Sequence, residues 1–565
     1  MSWIQNQHPV LRMTCLSILL GIIGAFSGLA FIWLLLQSQA LLLGEIAHYI
    51  PPSVSDSIPP PPPLELLWIP VVTTLGGLVS GLLVFLFAPE AEGHGTDAFI
   101  KSFHQDAGFI RGRVPFVKAA ASAITIGSGG SAGREGPVAQ IAAGIASRVS
   151  DFLGLTKQER RQLTVIGTAA GLAAIFKSPL GSAFFAVKVL YSGTALESSV
   201  LYYSIIAAAI AYSVIGLFNG WAPLFILPAG LAFEHPMELI WYVLLGLSVG
   251  VIGALLPSIF YGIRDAFLVL PIPTYLKPAL GGLMLGILAM YLPQVLGGGY
   301  GWIQFAIDDK LPVVLLAILV IGKMIAMALT VGSGGSGGIF APTLFVGAML
   351  GGLLSSLFNQ TGYFVPDHAG IVVIATAALF GCASRAPVAS LIMIIEMTGS
   401  YGIAVPAMIT VVVSLLTQRV LTRNVKYPTL YEAQVASPTD SPAHQAEYLE
   451  RAINNLRQQK IKLPVSLITK ETSRILASGG SISLPNGKQL STLQVDLGSS
   501  ADGHILYDLD LISDIQVIAI FQGEIMISPI EKHKLQAGDW LIVIATETEL
   551  LKTKNHLFNN SEIIN

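Results

Sequence analysis

The stretch Gly127-Ser-Gly-Gly-Ser-Ala-Gly-Arg-Glu-Gly-Pro137 returns far downstream as Gly332-Ser-Gly-Gly-Ser-Gly-Gly-Ile-Phe-Ala-Pro342, with the first five letters identical and ten residues from first glycine to proline in both. The likeness continues: Thr168-Ala-Ala stands eleven positions before Pro179, Thr376-Ala-Ala eleven before Pro387, and Ser182 and Ser390 follow three residues after those prolines. The two prolines of each half stand 42 and 45 positions apart. Matched blocks at two separate points predict two related halves within one domain.

Hydropathy says where those halves sit. With 53% hydrophobic and 12% charged residues and a mean hydropathy of +0.69, the chain is too apolar to stay in water and reads as polytopic membrane protein. Its net charge of -3 offers nothing to a nucleic acid. Cys15 and Cys382 lie in apolar runs and read as small buried hydrophobes, not a disulfide framework. The opening apolar run is too long for a secretory signal and lacks its cleavage pattern. Spans are predicted near 11–43, 66–87, 199–218, 239–261, 275–292, 312–330 and 403–421, with a polyproline link over 51–63. From 135 to 191 and from 339 to 398 the apolar pieces are short and broken by Gly and Pro, so they must pack inside protein or line a wet cavity. Paired broken regions in two halves predict an all-α inverted-repeat transporter fold with many tilted and broken helices.

Helix N-termini expose unpaired N–H groups and carry about half a positive charge, so several meeting at mid-membrane hold an anion without a full countercharge. Glycines let the backbone approach the ion, and the proline suits the first helical turn, where its missing N–H costs little. Partial charges bind and release where a fixed lysine would hold. The competing reading of the glycines is close helix packing alone. Against it stand two matched copies and Glu135, an ionisable residue at a depth where charge is expensive.

On the motifs Pro89-Glu-Ala-Glu-Gly-His-Gly-Thr-Asp97, Gly133-Arg-Glu-Gly-Pro137, Gly338-Ile-Phe-Ala-Pro342 and Pro428-Thr-Leu-Tyr431, the chain resembles the CLC family of chloride channels and chloride/proton antiporters, bacterial type. The resemblance implies that Glu135 is the gating carboxylate, occupying an anion site when ionised and swinging away when protonated. It implies anion contacts from the backbone N–H groups of Ile339 and Phe340 and from the Tyr431 hydroxyl, with His94, Gly95 and Gly136 in the flanking motifs. Arg134 takes one of two roles, an anchor in the outer vestibule or helix-end packing. A homodimer with one anion path per subunit follows from the same resemblance, as do a bacterial inner membrane and cytoplasmic N- and C-termini. The basic residues Arg148, Lys157, Arg160 and Arg161 favour a cytoplasmic loop there.

Two departures from the family's pattern matter. His94 stands where the family commonly has Ser, and Asp97 where it commonly has Pro. The imidazole either contacts the anion, as a pH-sensitive selectivity residue, or points into a side pocket while the backbone N–H does the work. Ten residues after Pro179, where exchangers of the family usually carry an internal glutamate, this chain has Val189, which relays no proton. Lys188 beside it either borders a water path or snorkels. Glu396, nine residues past Pro387, stands at the position related to Lys188 and reads as structural.

The expected division is a membrane domain over 1–435, a linker over 436–445 and a cytoplasmic α+β domain over 446–565. Within the last, a helix is predicted over 448–458 and strands over 465–468, 505–509, 515–521, 524–527 and within 535–544. On 517–544 it resembles the C-terminal lobe of RCK or TrkA-C regulatory domains. It lacks a Gly-x-Gly-x-x-Gly turn, so its roles are dimer packing or ligand sensing, with no nicotinamide cofactor. Together with Val189, the resemblance implies chloride conduction gated by Glu135, channel-like or weakly proton-coupled, with no cofactor and no metal. The rival is a chloride/proton antiporter whose protons take a water path in place of the internal carboxylate. An intramembrane hydrolase is the rival of another class, but neither Ser128 nor Ser333 stands in a Gly-x-Ser-x-Gly elbow with a histidine and an acid to match.

Overall fold

Backbone groups lying in hydrocarbon must find their hydrogen bonds within their own segment, and the first 434 residues are accordingly built of helices. The computed structural model describes residues 8–61, 65–233, 235–361, 365–444, 481–483, 487–496, 498–506, 509, 515–522, 525–527 and 533–553. Chain contacts divide it into Met1–Gln434 and Val435–Asn565.

The first unit repeats one order of eight helices. In the first half these are α1 (Pro9–Gln39), α2 (Trp68–Phe87), α3 (Thr96–Gln105), α4 (Val114–Gly127), α5 (Glu135–Phe152), α6 (Lys157–Phe176), α7 (Pro179–Lys188) and α8 (Leu201–Asn219). In the second they are α9 (Leu239–Val269), α10 (Lys277–Tyr291), α11 (Tyr300–Ile307), α12 (Val313–Val331), α13 (Phe340–Asn359), α14 (His368–Ala383), α15 (Pro387–Thr398) and α16 (Ala404–Leu421). Both α1 and α9 have 31 residues, and packing repeats with order: α5 lies on α6 as α13 lies on α14, and α1 on α8 as α9 on α16.

Small residues bring these helices together. A β-carbon on Gly77 of α2 would stand 2.2 Å from the Pro278 carbonyl oxygen, and one on Gly282 of α10 would stand 2.2 Å from that of Thr73. Among the described residues seven helices are long and apolar enough to cross a membrane, and large apolar side chains such as Trp33, Leu217, Ile240 and Leu247 stand exposed on their outer faces, as suits a chain surrounded by lipid. The predicted spans stand with shifted ends: α9 runs on to Val269, and α10 is only 15 residues long.

The prediction of short broken pieces after Glu135 and Ile339 needs correction. Helices α5, α6 and α13 are continuous over 18, 20 and 20 residues. Their glycines are packing positions rather than breaks, since a β-carbon on Gly167 or Gly171 would meet the β-carbon of Ala146 or Ala142 at 2.7 Å. Breaks fall instead at sharp loops with caps. The Thr156 hydroxyl and the Glu159 carboxylate form a reciprocal capping box at the start of α6, and Asp367 accepts from Ala369 and Gly370 at the start of α14. Cys382 is buried as expected, whereas Cys15 lies exposed on α1.

The second unit holds a five-stranded antiparallel sheet in the order β1-β2-β5-β3-β4, with β1 Ile482–Ser483, β2 Gln489–Gln494, β3 Gln516–Gln522, β4 Ile525–Ile527 and β5 Trp540–Ala545. Leu493, Ile520, Leu541 and Val543 form its buried core, and helix α17 (Glu547–Thr553) adds Leu550. The predicted hairpin is the β3–β4 pair, in register at Gln522 and Ile525. Strands β1 and β2 were not predicted, because Gln489-Leu-Ser-Thr-Leu-Gln494 carries only two large apolar residues. Of the strand expected over 505–509, the described residues show an isolated bridge from Ile505 to Lys534, and residues 507 and 508 lie outside them. The helix expected over 448–458 and the strand over 465–468 lie outside the described residues.

Candidate functional site

Each repeated glycine motif ends one helix and starts the next, so the N-termini of α5 and α13 are carried by the same device. The two motifs meet at an antiparallel bridge between Gly133 and Gly338, whose peptides exchange hydrogen bonds of 2.6 and 2.7 Å. The Pro89–Asp97 motif closes on the same point. Gly337 N–H donates to the Gly93 carbonyl at 3.2 Å, and a β-carbon on Gly136 would lie 1.9 Å from the His94 carbonyl oxygen and 3.1 Å from the Gly338 Cα. Gly95, at φ +80°, would meet the Gly136 carbonyl at 2.6 Å. Three segments distant in sequence therefore meet at positions where glycine leaves room for the neighbouring backbone.

Glu135 is the first residue of α5 and is buried. The Tyr300 hydroxyl donates to its Oε1, and the backbone N–H groups of Glu135 itself and of Ala341 face its carboxylate. The Glu135 side chain thus folds back over the start of its own helix, towards the start of α13. A carboxylate there presents to two helix N-termini the charge and oxygens of a bound anion. Arg134 extends from the same turn with its guanidinium 4.9 Å from the Tyr300 ring centroid and its Nε 3.9 Å from Glu135.

Phe340, the first residue of α13, sits in an aromatic cluster with ring centroids 4.3 Å from Phe176 and 3.8 Å from Phe380. Phe185 joins it to Tyr431, at 6.0 and 6.4 Å. Ile339 is the residue before α13, so its N–H and that of Phe340 are among the unpaired donors of that helix end. Tyr431 is buried, with the His94 ring 5.6 Å from its own and Thr96 beside its hydroxyl. His94 in turn lines a cavity of about 260 Å³ together with Glu92, Tyr261, Arg264 and Lys277. The candidate residues form one connected group: Phe185 links Phe340 to Tyr431, Tyr431 faces His94, and the His94 carbonyl closes on Gly136 beside Glu135.

The His94 ring is engaged by Asp97. The Asp97 N–H reaches Nδ1 at 3.4 Å and Nε2 lies 3.1 Å from Oδ2. Val189 is fully buried just past α7, and Gln434, three residues beyond Tyr431, donates to its carbonyl at 2.9 Å. Lys188 donates to the Tyr191 and Gly193 carbonyls at 2.6 and 3.0 Å, which closes the end of α7. Glu396 accepts from the Ser178 hydroxyl at 2.6 Å and from the Leu180 and Gly181 N–H groups at 3.1 and 2.9 Å. It places a carboxylate on the N-terminus of the repeat-related helix α7.

Several parts of the site escaped the sequence reading. The repeat extends upstream: Pro89-x-x-x-Gly93-x-Gly95 answers Pro293-x-x-x-Gly297-x-Gly299, all four glycines having positive φ. Lys118 and Lys323 each stand nine residues before the leading glycine of a motif, and both are fully buried. Lys118 donates to the Ala91 and Gly93 carbonyls at 3.0 and 2.7 Å, and Lys323 to the equivalent Val295 and Gly297 carbonyls at 2.8 and 2.7 Å. The matched spacing of the two lysines was the available signal. Ser131 and Ser336 do stand in Gly-x-Ser-x-Gly, but the Ser336 hydroxyl bonds Ser122 and the Ala91 carbonyl rather than a histidine. Among the described residues no group of three or more His, Cys, Asp or Glu could hold a metal ion.

Comparison with known proteins agrees with this geometry. Residues 76–419 match the family model described as voltage gated chloride channel, and residues 490–557 match the TrkA-C domain. The voltage-gated ClC-type chloride channel ClcB of Salmonella typhimurium is 30% identical over 377 residues, 65% of this chain and 88% of that protein. The H(+)/Cl(-) exchange transporter ClcA of Vibrio campbellii is 30% identical over 354 residues, 61% of this chain and 75% of that one. In fold, the chain is similar to a slow cyanobacterial Cl-/H+ antiporter at a TM-score of 0.66 and 23% identity, covering 75% of this chain and 97% of that one. The repeated helices, the meeting glycine motifs and these matches together make the chain a member of the CLC family, a multi-pass membrane chloride transporter rather than an enzyme, with a TrkA-C domain following its membrane part.

Proposed function

We propose that this chain conducts chloride, or a similar small anion, down its gradient across a bacterial inner membrane, channel-like or weakly coupled to protons, with Glu135 as the gate. It works as a homodimer with one path per subunit and both termini in the cytoplasm. The observation that carries this reading is the Glu135 carboxylate lying against the N–H groups of Glu135 and Ala341, where an anion would lie. Ile339, Phe340, Gly95 and Gly136 line the path with backbone, and the Tyr431 hydroxyl donates towards the anion. Arg134, stacked on Tyr300, adds positive potential at the Glu135 end. Val189 supports the absence of tight coupling, since its side chain carries no proton.

The second reading is chloride/proton exchange, favoured by one contact near Val189. Glu197 folds back so that its N–H meets the Val187 carbonyl at 3.0 Å, and its carboxylate accepts from the Tyr191 hydroxyl at 2.7 Å. That brings a carboxylate back to the end of α7, beside the proposed water path past Lys188.

Chloride efflux from liposomes holding the purified protein, with internal pH recorded and the potential clamped, separates the readings. Efflux without opposed proton movement is expected. Uphill proton movement driven by chloride, abolished by Glu135→Gln and by Glu197→Gln, would overturn the channel-like reading in favour of exchange.

A further inference from the structure

We propose that Asp97 is a positioning residue for the inner mouth of the anion path: its carboxylate holds the His94 imidazole and the chain carrying Tyr431 in one arrangement and withdraws both ring nitrogens from the anion. This rests on the reading of His94 and Tyr431 as residues of that path.

The local chain explains why Asp97 can do this. Gly93 and Gly95 take φ values of +70° and +80°, so the segment turns sharply around His94 before α3 begins at Thr96. Asp97 is the second residue of α3, where a carboxylate is favoured by the exposed N–H groups of the first turn. From there its backbone N–H points at His94 Nδ1, 3.4 Å away, which makes Nδ1 the acceptor and places the ring hydrogen on Nε2. That hydrogen reaches Asp97 Oδ2 at 3.1 Å. A neutral imidazole has one N–H and one lone pair, and Asp97 takes both.

The same carboxylate reaches across to the other wall. Its Oδ2 accepts from the Glu432 N–H at 3.3 Å and its Oδ1 from the Ala433 N–H at 3.1 Å. These are the two amides directly after Tyr431, so Asp97 fixes the Tyr431 backbone relative to α3. One side chain thus sets the separation between the His94 turn and the Tyr431 segment, whose rings lie 5.6 Å apart.

The cations around His94 are committed elsewhere. Across the cavity, Arg264 pairs with Glu432 at 2.5 Å and Asp265 at 3.2 Å, and Lys277 donates to the Leu268 carbonyl at 3.1 Å. Glu92 lines the same cavity, and behind Gly95 the Lys118 ammonium is held by the Ala91 and Gly93 carbonyls. Asp97 is the charged side chain that bonds the ring itself. With it in place, selection at this end falls to backbone N–H groups and the Tyr431 hydroxyl.

An asparagine at 97 still accepts from the Ala433 amide, but its NH2 would face Nε2–H, donor against donor. The ring would have to turn, releasing a nitrogen into the cavity. The test uses full-length protein in liposomes, with chloride and nitrate efflux measured across about pH 5 to 8, where imidazoles titrate. Asp97→Asn is expected to change the chloride-to-nitrate rate ratio by about threefold or more, the scale of one hydrogen bond gained or lost, and to make flux climb towards acid pH. Adding His94→Ala to Asp97→Asn should erase both effects and return the values of His94→Ala alone. If Asp97→Asn fails to fold, Asp97→Ser, which keeps an acceptor for the Ala433 amide, is read the same way. An unchanged ratio and pH profile, or changes that persist without the imidazole, would overturn the proposal. Wild-type protein that passes neither anion would instead overturn the underlying reading of the path.

Discussion

Gly133 and Gly338 stand face to face, each peptide donating to the other at 2.6 and 2.7 Å. They occupy the same place in the two copies of one motif, so at this point the halves of the membrane domain meet backbone to backbone. The residues next along each chain start helices, and every free N–H at those starts is directed by this one contact. Glu135 and Ala341 are brought together by it.

Glu135→Gln removes a carboxylate that imitates the anion and leaves a neutral amide of the same size. Chloride flux in liposomes is expected to persist and to lose the part of its pH dependence that this carboxylate supplies. A flux that still changed with pH as in wild type would place the gate elsewhere.

Tyr300→Phe deletes the hydroxyl that donates to Glu135. A hydrogen bond to a charged group contributes about 1.5–3 kcal/mol, and about 1.4 kcal/mol is a factor of ten in an equilibrium. The carboxylate should leave the anion's place more readily, raising chloride flux by about tenfold at a pH where wild-type flux is small. Stopped-flow efflux checks the direction.

Glycine substitutions separate space from conformation. A β-carbon at Gly136 has the His94 carbonyl 1.9 Å away, whereas at Gly93, with φ +70°, nothing lies within 4 Å. Gly136→Ala should cost about 3 kcal/mol or more through overpacking, with loss of flux. Gly93→Ala should cost only the about 1–2 kcal/mol of a left-handed residue. Thermal unfolding in detergent, read beside flux, orders the two.

Glu396→Ala strips three hydrogen bonds from the start of α7. A loss of stability near about 3 kcal/mol is expected from buried donors left unpaired, with flux per folded protein unchanged. Altered anion selectivity in that variant would contradict a purely structural Glu396.

Lys323→Met takes from the Val295 and Gly297 carbonyls their lysine donor, at about 1–3 kcal/mol apiece, whereas after Lys118→Met the Ala91 and Gly93 carbonyls keep the Ser336 hydroxyl and the Gly337 N–H, so that variant should cost less. Their functional effects should differ. Loss of Lys118 loosens the turn carrying His94 and should alter the chloride-to-nitrate ratio. Loss of Lys323 loosens the turn before Tyr300 and should alter the pH dependence set by Glu135.

What was legible in the sequence was what survives as letters. The Gly-Ser-Gly-Gly-Ser pair is written identically in both halves, so the repeat, the membrane class and the candidate residues from Glu135 to Tyr431 could be read. The upstream turns were not, since Pro89-Glu-Ala-Glu-Gly-His-Gly and Pro293-Gln-Val-Leu-Gly-Gly-Gly share only prolines and glycines. Lys118 and Lys323 looked like interruptions of apolar runs, because their partners are carbonyls, which every residue has. Tyr300 lies 165 residues from Glu135, and no local pattern joins them. Glycines within α5, α6 and α13 were taken for breaks because a sequence does not tell a glycine that ends a helix from one that admits a neighbour. Asp97 was visible only as a departure, and its meaning depends on amides more than 330 residues away.

The paired lysines have a consequence for how the two ends of the path can change. Lys118 and Lys323 steady the same turn in the two halves, yet the residue leaving the first turn is Thr96, beside Tyr431, and the residue leaving the second is Tyr300, on Glu135. Inversion has sent one copy of a single device to the mouth and the other to the gate. On the proposed reading, the repeat therefore leaves two adjustable ends under separate control: substitutions around Thr96 should retune which ion enters and substitutions around Tyr300 when it passes.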